Sequence, residues 1–127
     1  MTGKNILIVD DSPTALAFAA GALQKAGYSV FTTSDIWIAH QVLQLQPQLI
    51  LMDVHMGSAR SGPVVVDALN RISIRERMKI LFYSSRPEPE LANLAVEHGA
   101  DGYICKQHNP STLVNQVSRE IGEPLAA

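Results

Sequence analysis

The sequence has a single cysteine, almost no net charge and no long apolar run. One cysteine cannot form an internal disulfide, and the N-terminal segment MTGKNILIVDD reaches charged residues too early to contain the apolar region of a signal peptide. We therefore expect a cytoplasmic protein. Ten Lys and Arg against twelve Asp and Glu give a formal net charge of −2, which argues against direct nucleic-acid binding. Because no apolar run approaches the roughly 20 residues that span a bilayer, we expect no membrane insertion.

The length of 127 residues suits one compact domain and is too short for two cores of similar size. Apolar residues make up 46% of the chain and charged residues 17%, so the chain can build a buried core and does not have the composition of a disordered segment. We expect a single domain over residues 1–127, with a flexible tail at 122–127.

Short apolar runs alternate with longer stretches of helical periodicity, which is typical of βα units around a parallel sheet. Five units fit, so the sequence predicts a three-layer α/β fold. Strands one, three and four are apolar without alternation, which places them at the centre of the sheet between two helical layers. Strands are predicted at 5–10, 28–32, 49–54, 79–84 and 102–106. Helices are predicted at about 13–26, 35–45, 63–71 and 110–121. A further helix, between the last two of these, is predicted to begin after Pro87 and Pro89 and to end at Gly99.

Charged and hydroxyl side chains stand at the carboxyl ends of four predicted strands. Asp10 and Asp11 follow the first strand, and Asp53, Ser84 and Lys106 end the third, fourth and fifth. In a parallel sheet these ends share one edge, where ligands collect. Crowded carboxylates need a cation, and oxygen ligands favour Mg²⁺ or Mn²⁺ over zinc. A phosphoryl group beside the metal would also meet an ammonium and a hydroxyl, and an aspartate can accept it covalently.

This ordered set resembles the receiver domain of two-component response regulators, and the resemblance covers essentially the whole chain. It implies a flavodoxin-like (βα)5 fold with strand order 2-1-3-4-5, and the chain is most similar to stand-alone receivers such as the chemotaxis regulator. By position, Asp53 matches the phosphoacceptor and Lys106 the phosphate-binding lysine. Asp10 and Asp11 match the pair that binds Mg²⁺.

Further roles follow from the same resemblance. The backbone carbonyl of His55 would be another metal ligand. Ser84 matches the switch hydroxyl, and Tyr103 matches the aromatic residue that turns inward when Ser84 moves toward the phosphate. His55 and Arg86 occupy positions that adjust the rate of phosphoryl loss. Their side chains would either contact the phosphoryl group or be solvated loop residues.

The resemblance implies a signalling module and not an enzyme with substrate turnover. A histidine kinase or a histidine phosphotransfer protein would donate the phosphoryl group, and the surface of helix four, strand five and helix five would act on a downstream protein. The sequence is also compatible with a homodimer. One alternative is a degenerate receiver that acts as a constitutive protein-interaction module. Another is a Mg²⁺-dependent phosphatase with an Asp nucleophile, which is disfavoured because neither Asp10 nor Asp53 begins a DxD motif and no cap domain is present.

Two departures from the family pattern keep the degenerate receiver open. Gln107 replaces the usual proline after Lys106, and a cis bond to Gln costs about 2.5–4 kcal/mol against roughly 0.5–1 for Pro. We expect a trans bond there, or a visibly strained cis bond. The segment DVHMG replaces the usual Asp-x-x-x-Pro after the third strand, and glycine frees a backbone that proline would restrict. We expect a mobile loop over 57–61.

Overall fold

A computed structural model describes residues 4–34, 39–54, 62–106 and 109–124 and shows a parallel sheet between two layers of helices. The strands are β1 (Asn5–Val9), β2 (Ser29–Thr33), β3 (Leu49–Met52), β4 (Lys79–Ser84) and β5 (Gly102–Cys105). The helices are α1 (Pro13–Ala26), α2 (Ala39–Leu45), α3 (Gly62–Leu69), α4 (Glu88–His98) and α5 (Pro110–Ile121), with a 3₁₀ helix at Ser73–Arg77. The strand order is β2-β1-β3-β4-β5, so the predicted fold and order are confirmed.

Two apolar clusters fill the space on either side of the sheet. One joins alternate side chains of the central strands to α2, α3 and α4, and the other joins the remaining ones to α1 and α5. Every residue of β3 is buried, as are the β1 residues after Asn5 and the β4 residues after Lys79. Because both faces of these strands are covered, their sequences show no alternation of apolar and polar residues.

Three of the five strands end slightly earlier than predicted, and their site residues lie just beyond them. β1 ends at Val9, β3 at Met52 and β5 at Cys105. Backbone hydrogen bonds nevertheless hold the next residues in line with the sheet. The Asp53 amide donates to the Val9 carbonyl at 2.9 Å, and the Lys106 amide donates to the Ser84 carbonyl at 2.7 Å. These bonds fix where each site residue leaves the sheet edge.

The start of α1 is set by a side-chain cap directly after the two N-terminal aspartates. The Ser12 hydroxyl accepts a hydrogen bond from the Ala15 amide at 3.2 Å, and Pro13 is the first helical residue. Gly27 ends α1 with φ 111°, a left-handed conformation that glycine adopts without strain. The predicted beginning and end of this helix are confirmed.

The end of α5 contacts the opposite edge of the sheet from the site residues. Lys4 Nζ donates to the Ile121 carbonyl, and the Tyr28 hydroxyl donates to the Gly122 carbonyl at 2.7 Å. Burial, followed by the charge of Glu123, raises the pKa of Tyr28. Residues 125–127 of the expected flexible tail lie outside the described residues. None of the helices in the described ranges combines the length and apolar character needed to cross a membrane.

Replacing Gln46 with Gly is expected to raise the free energy of unfolding by about 0.5–1 kcal/mol. Gln46 follows α2 with φ 45°, a left-handed conformation that costs an L residue about 1–2 kcal/mol. Glycine relieves this strain, but part of the gain is lost because glycine gives up more conformational entropy on folding. Urea denaturation measures the change. Gln44→Gly, within α2, is the control and is expected to lower stability by about 1 kcal/mol. A loss of stability in both variants would contradict the strain at Gln46.

Candidate functional site

Three carboxylates meet at the carboxyl edge of the sheet, beyond the adjacent strands β1 and β3. Asp10 is completely buried, Asp53 is 7% exposed, and Asp11 lies at the surface. One carboxylate oxygen from each of the three residues lies within 4.8 Å of the others. The structure therefore brings together the three aspartates that the sequence analysis placed at this edge.

The ammonium of Lys106 reaches into the same cluster from the end of β5. Its Nζ lies 2.7 Å from Asp10 Oδ2 and 3.7 Å from Asp53 Oδ1. It also lies 5.5 Å from the centre of the Tyr83 ring, within range of a cation–π interaction. Burial, followed by the negative charge of Asp10, raises the pKa of Tyr83 to about 12, so its phenol stays neutral beside the cluster.

The hydrogen bonding of Asp10 leaves one oxygen suited to a cation. Its Oδ1 accepts a hydrogen bond from the Ser12 amide at 2.9 Å. Its Oδ2 is buried and has Lys106 as an ion-pair partner, but it accepts no well-aligned hydrogen bond among the described residues. A buried carboxylate oxygen without an aligned donor is costly unless a cation compensates it.

The donor set of this cluster fits Mg²⁺. One ammonium against three carboxylates leaves excess negative charge, which a divalent cation would neutralise. Hard carboxylate oxygens, without His or Cys ligands in the described part of the cluster, suit Mg²⁺ or Mn²⁺ better than zinc. Asp10, Asp11 and Asp53 are the residues that would hold the ion.

Ser84 ends β4 at the same edge and is 5% exposed. Since Met52 pairs with Phe82, Ser84 lies one position beyond the level of Asp53. The Ser84 hydroxyl accepts a hydrogen bond from the Arg86 amide at 3.1 Å, and its own proton is available to another acceptor.

Arg86 and Tyr103 each contact a carboxylate of α4, and neither contact was predicted from the sequence. The Arg86 guanidinium forms an ion pair with Glu90, and the Tyr103 hydroxyl donates to Glu88 Oε1 at 2.9 Å. The spacing of Arg86 and Glu90, four residues apart, could have indicated the first pair from sequence alone. No local pattern connects Tyr103 with Glu88, because they are brought together by the packing of β5 against α4.

Several expectations fall on residues that the structure does not describe. His55, with the backbone carbonyl expected to bind metal, and Gln107, with the expected trans bond, lie outside the described residues. The loop expected to be mobile, 57–61, lies outside them as well. These expectations stay predictions.

A cavity of about 350 Å³ opens beside Lys106, between the start of α1 and the end of β4. Phe18 and Ala15 contribute apolar surface from α1, and Ser12, Thr14, Tyr83, Ser85 and Lys106 complete the lining. The cavity gives a molecule in solution a path to the Lys106 ammonium.

Comparison with known proteins finds response regulators, both by family model and by sequence identity. The family model of the response regulator receiver domain matches residues 6–118. The phosphate regulon transcriptional regulatory protein PhoB of Pseudomonas aeruginosa is 35% identical over 115 residues, which cover 90% of this chain and 50% of PhoB. The chemotaxis protein CheY of Thermotoga maritima is 28% identical over 120 residues, which cover 92% of this chain and 97% of CheY. The chain thus spans half the length of PhoB and nearly all of this CheY.

Solved structures show the same likeness. The chemotaxis protein CheY4 of Vibrio cholerae superimposes with a TM-score of 0.83 at 30% identity, covering 92% of this chain and 98% of CheY4. A likeness in both sequence and fold extends over the strands that carry the aspartates, Ser84 and Lys106.

Proposed function

Since this chain belongs to the response regulator receiver domain family, we propose that it accepts a phosphoryl group on Asp53 in a Mg²⁺-dependent reaction. The observation that carries the proposal is the convergence of Asp10, Asp11, Asp53 and Lys106 in one pocket. A metal-bound phosphoryl group needs this combination of carboxylates and an ammonium. The phosphoacceptor, metal and switch roles of the individual residues are part of the proposal.

In the proposed reaction, a carboxylate oxygen of Asp53 attacks phosphorus, and the bond between phosphorus and the donor atom breaks. Asp10 and Asp11 would hold the metal together with Asp53, and the His55 carbonyl would be the further ligand. Bound Mg²⁺ supplies positive charge that offsets the repulsion between the carboxylates and the incoming phosphoryl oxygens. Lys106, already 3.7 Å from Asp53 Oδ1, pairs with an oxygen of the transferred phosphoryl group.

The proposed signal begins at Ser84, whose hydroxyl donates a hydrogen bond to the new phosphoryl group. Its movement carries the start of α4 with it, and Tyr103 turns inward on β5. The surface formed by α4, β5 and α5 then differs between the two states and acts on a downstream protein. His55 and Arg86 are proposed to adjust the lifetime of the phosphoryl group, Arg86 after leaving its ion pair with Glu90.

The proposed donor is a phosphohistidine on a histidine kinase or a phosphotransfer protein in the cytoplasm. The cavity beside Lys106 supports this, because it opens next to the Lys106 ammonium and has apolar walls at Phe18 and Ala15 that suit the flat leaving imidazole. The chain would act as a signalling module, with phosphoryl transfer to and loss from its own Asp53 as its chemistry.

Incubation with acetyl phosphate, a small acyl phosphate, tests the proposed function. Intact mass spectrometry is expected to show a gain of one phosphoryl group with Mg²⁺ and none with EDTA. Steady release of phosphate from phosphate esters without a lasting mass gain would indicate a phosphatase. The absence of both would indicate a constitutive interaction module.

Mg²⁺ is expected to stabilise the fold, because it binds the assembled carboxylates and not the unfolded chain. At a concentration of a hundred times its Kd the gain is about 2.7 kcal/mol, visible as a higher Tm. Asp10→Asn is expected to remove most of this gain, because it replaces a buried charged ligand with a neutral one. Asp67→Asn, on the exposed face of α3, is the control and should respond to Mg²⁺ like the wild type. An equal Tm with and without Mg²⁺ in the wild type would contradict the metal site.

A further inference from the structure

Glu88 joins the first turn of α4 to the edge strand β5. Its Oε1 accepts the hydrogen bond from the Tyr103 hydroxyl at 2.9 Å. The Tyr103 ring packs partly against the apolar cluster under α4, while its hydroxyl lies at the protein surface. Glu90, the other carboxylate of this turn, is engaged by Arg86, which leaves Glu88 as the partner of Tyr103.

The position of Glu88 depends on Ser84 through a short connection. The Ser84 hydroxyl accepts a hydrogen bond from the Arg86 amide at 3.1 Å, and the Pro87 carbonyl accepts one from the Leu91 amide at 3.1 Å. The end of β4 and the first turn of α4 are therefore linked by consecutive hydrogen bonds. We expect a displacement of Ser84 to be transmitted through these bonds to the first turn of α4, which carries the carboxylate of Glu88.

We propose that Glu88 is a positioning residue that holds Tyr103 at the surface in the resting protein and thereby opposes activation. The inference rests on the proposed function, because it assigns Glu88 a role in the same phosphorylation switch. Loss of the Glu88 carboxylate makes the inward position of Tyr103 easier to reach. By linkage, a ligand that selects the activated state then binds more tightly.

The chemistry of the pair favours a lasting contact in the resting state. A phenol that donates to a carboxylate makes a stronger hydrogen bond than one between neutral groups. This hydrogen bond, together with burial and the Glu88 charge, raises the pKa of Tyr103, so the phenol keeps its proton. An acidic residue is also favourable in the first turn of a helix, where the backbone amides carry partial positive charge.

The test compares Glu88→Ala with wild type and with Glu97→Ala, an exposed position on the same helix. Tyrosine titration by NMR in the unphosphorylated protein is expected to show a lower pKa of Tyr103 in Glu88→Ala alone. Calorimetric titration with beryllofluoride, an analogue of the aspartyl phosphate, in the presence of Mg²⁺ is expected to show about two- to fivefold tighter binding in that variant. Glu88→Gln keeps an acceptor oxygen for the Tyr103 hydroxyl, so its gain in beryllofluoride affinity should be smaller. Because it is the more conservative change, it keeps the test valid if Glu88→Ala does not fold.

Repeating the Glu88→Ala change in the Tyr103→Phe variant separates the loss of the Glu88–Tyr103 hydrogen bond from a general effect on α4. Tyr103→Phe removes the same hydrogen bond, so adding Glu88→Ala to it is expected to change beryllofluoride affinity no further. Equal affinity in wild type and Glu88→Ala would overturn the role of Glu88 while leaving the proposed function intact. If the wild type binds no beryllofluoride, the proposed function itself fails and Glu88 has no activation to oppose.

Discussion

Replacing Asp53 with Asn is expected to reduce phosphorylation by acetyl phosphate below detection. The amide has nearly the shape of the carboxylate, and the backbone hydrogen bond from residue 53 to the Val9 carbonyl is kept, so the fold should survive. The amide oxygen is a much poorer nucleophile and cannot carry the negative charge that helps to bind the metal. Intact mass spectrometry with Mg²⁺ measures the loss.

Asp67→Asn is the matched control for this change. Asp67 lies on α3, exposed and paired with His98 at 2.9 Å, away from the carboxylate cluster. The Asp67→Asn variant should be phosphorylated on Asp53 at the rate of the wild type. An unreduced mass gain in Asp53→Asn would show that another side chain is the acceptor and would contradict the role of Asp53.

Gly62→Ala is expected to lower the free energy of unfolding by about 1–3 kcal/mol and to slow phosphorylation. Gly62 is the first residue of α3, and a Cβ built there would lie 1.9 Å from the carbonyl oxygen of Asp53 and 3.0 Å from Met52 Cγ. Since the clash is with backbone, α3 or the end of β3 must move, and Asp53 moves with it. Urea denaturation and the initial rate with acetyl phosphate measure the two effects.

Gly21→Ala provides the control, because Gly21 lies within α1 and a Cβ there would meet nothing within 4 Å. That variant is expected to gain roughly 0.5–1 kcal/mol from the better helix propensity of alanine. If Gly62→Ala were as stable as Gly21→Ala, this would contradict the close contact between Gly62 and the Asp53 carbonyl.

The sequence is sufficient to predict the sheet and most of the site because its strongest signals are local. The unbroken apolar runs of β1, β3 and β4 reflect burial on both faces, and Ser12-Pro13 marks the start of α1. Once these strands are parallel neighbours, Asp10 and Asp53 must share an edge. Lys106 ends β5 at the same edge, but β4 separates β5 from β3, so its contact with the two aspartates depends on the reach of the lysine side chain.

The contacts that depend on packing could not be predicted in this way. The approach of Gly62 to the Asp53 carbonyl is set by the angle at which α3 leaves the sheet, which periodicity does not record. The bond between Glu88 and Tyr103 joins two elements whose relative position is known only after folding. β1 and β3 also end one and two residues earlier than the predicted ends at Asp10 and Val54, because the last ladder pair is Val9 with Met52 and the aspartates lie just beyond it.

A crystal structure with Mg²⁺ and beryllofluoride tests the central claim most directly. The expected result is a metal ion bound by carboxylate oxygens of Asp10, Asp11 and Asp53, with beryllofluoride on Asp53 in contact with Lys106 Nζ and the Ser84 hydroxyl. A metal bound away from these aspartates, or beryllofluoride attached to a different side chain, would contradict the proposed phosphoacceptor site.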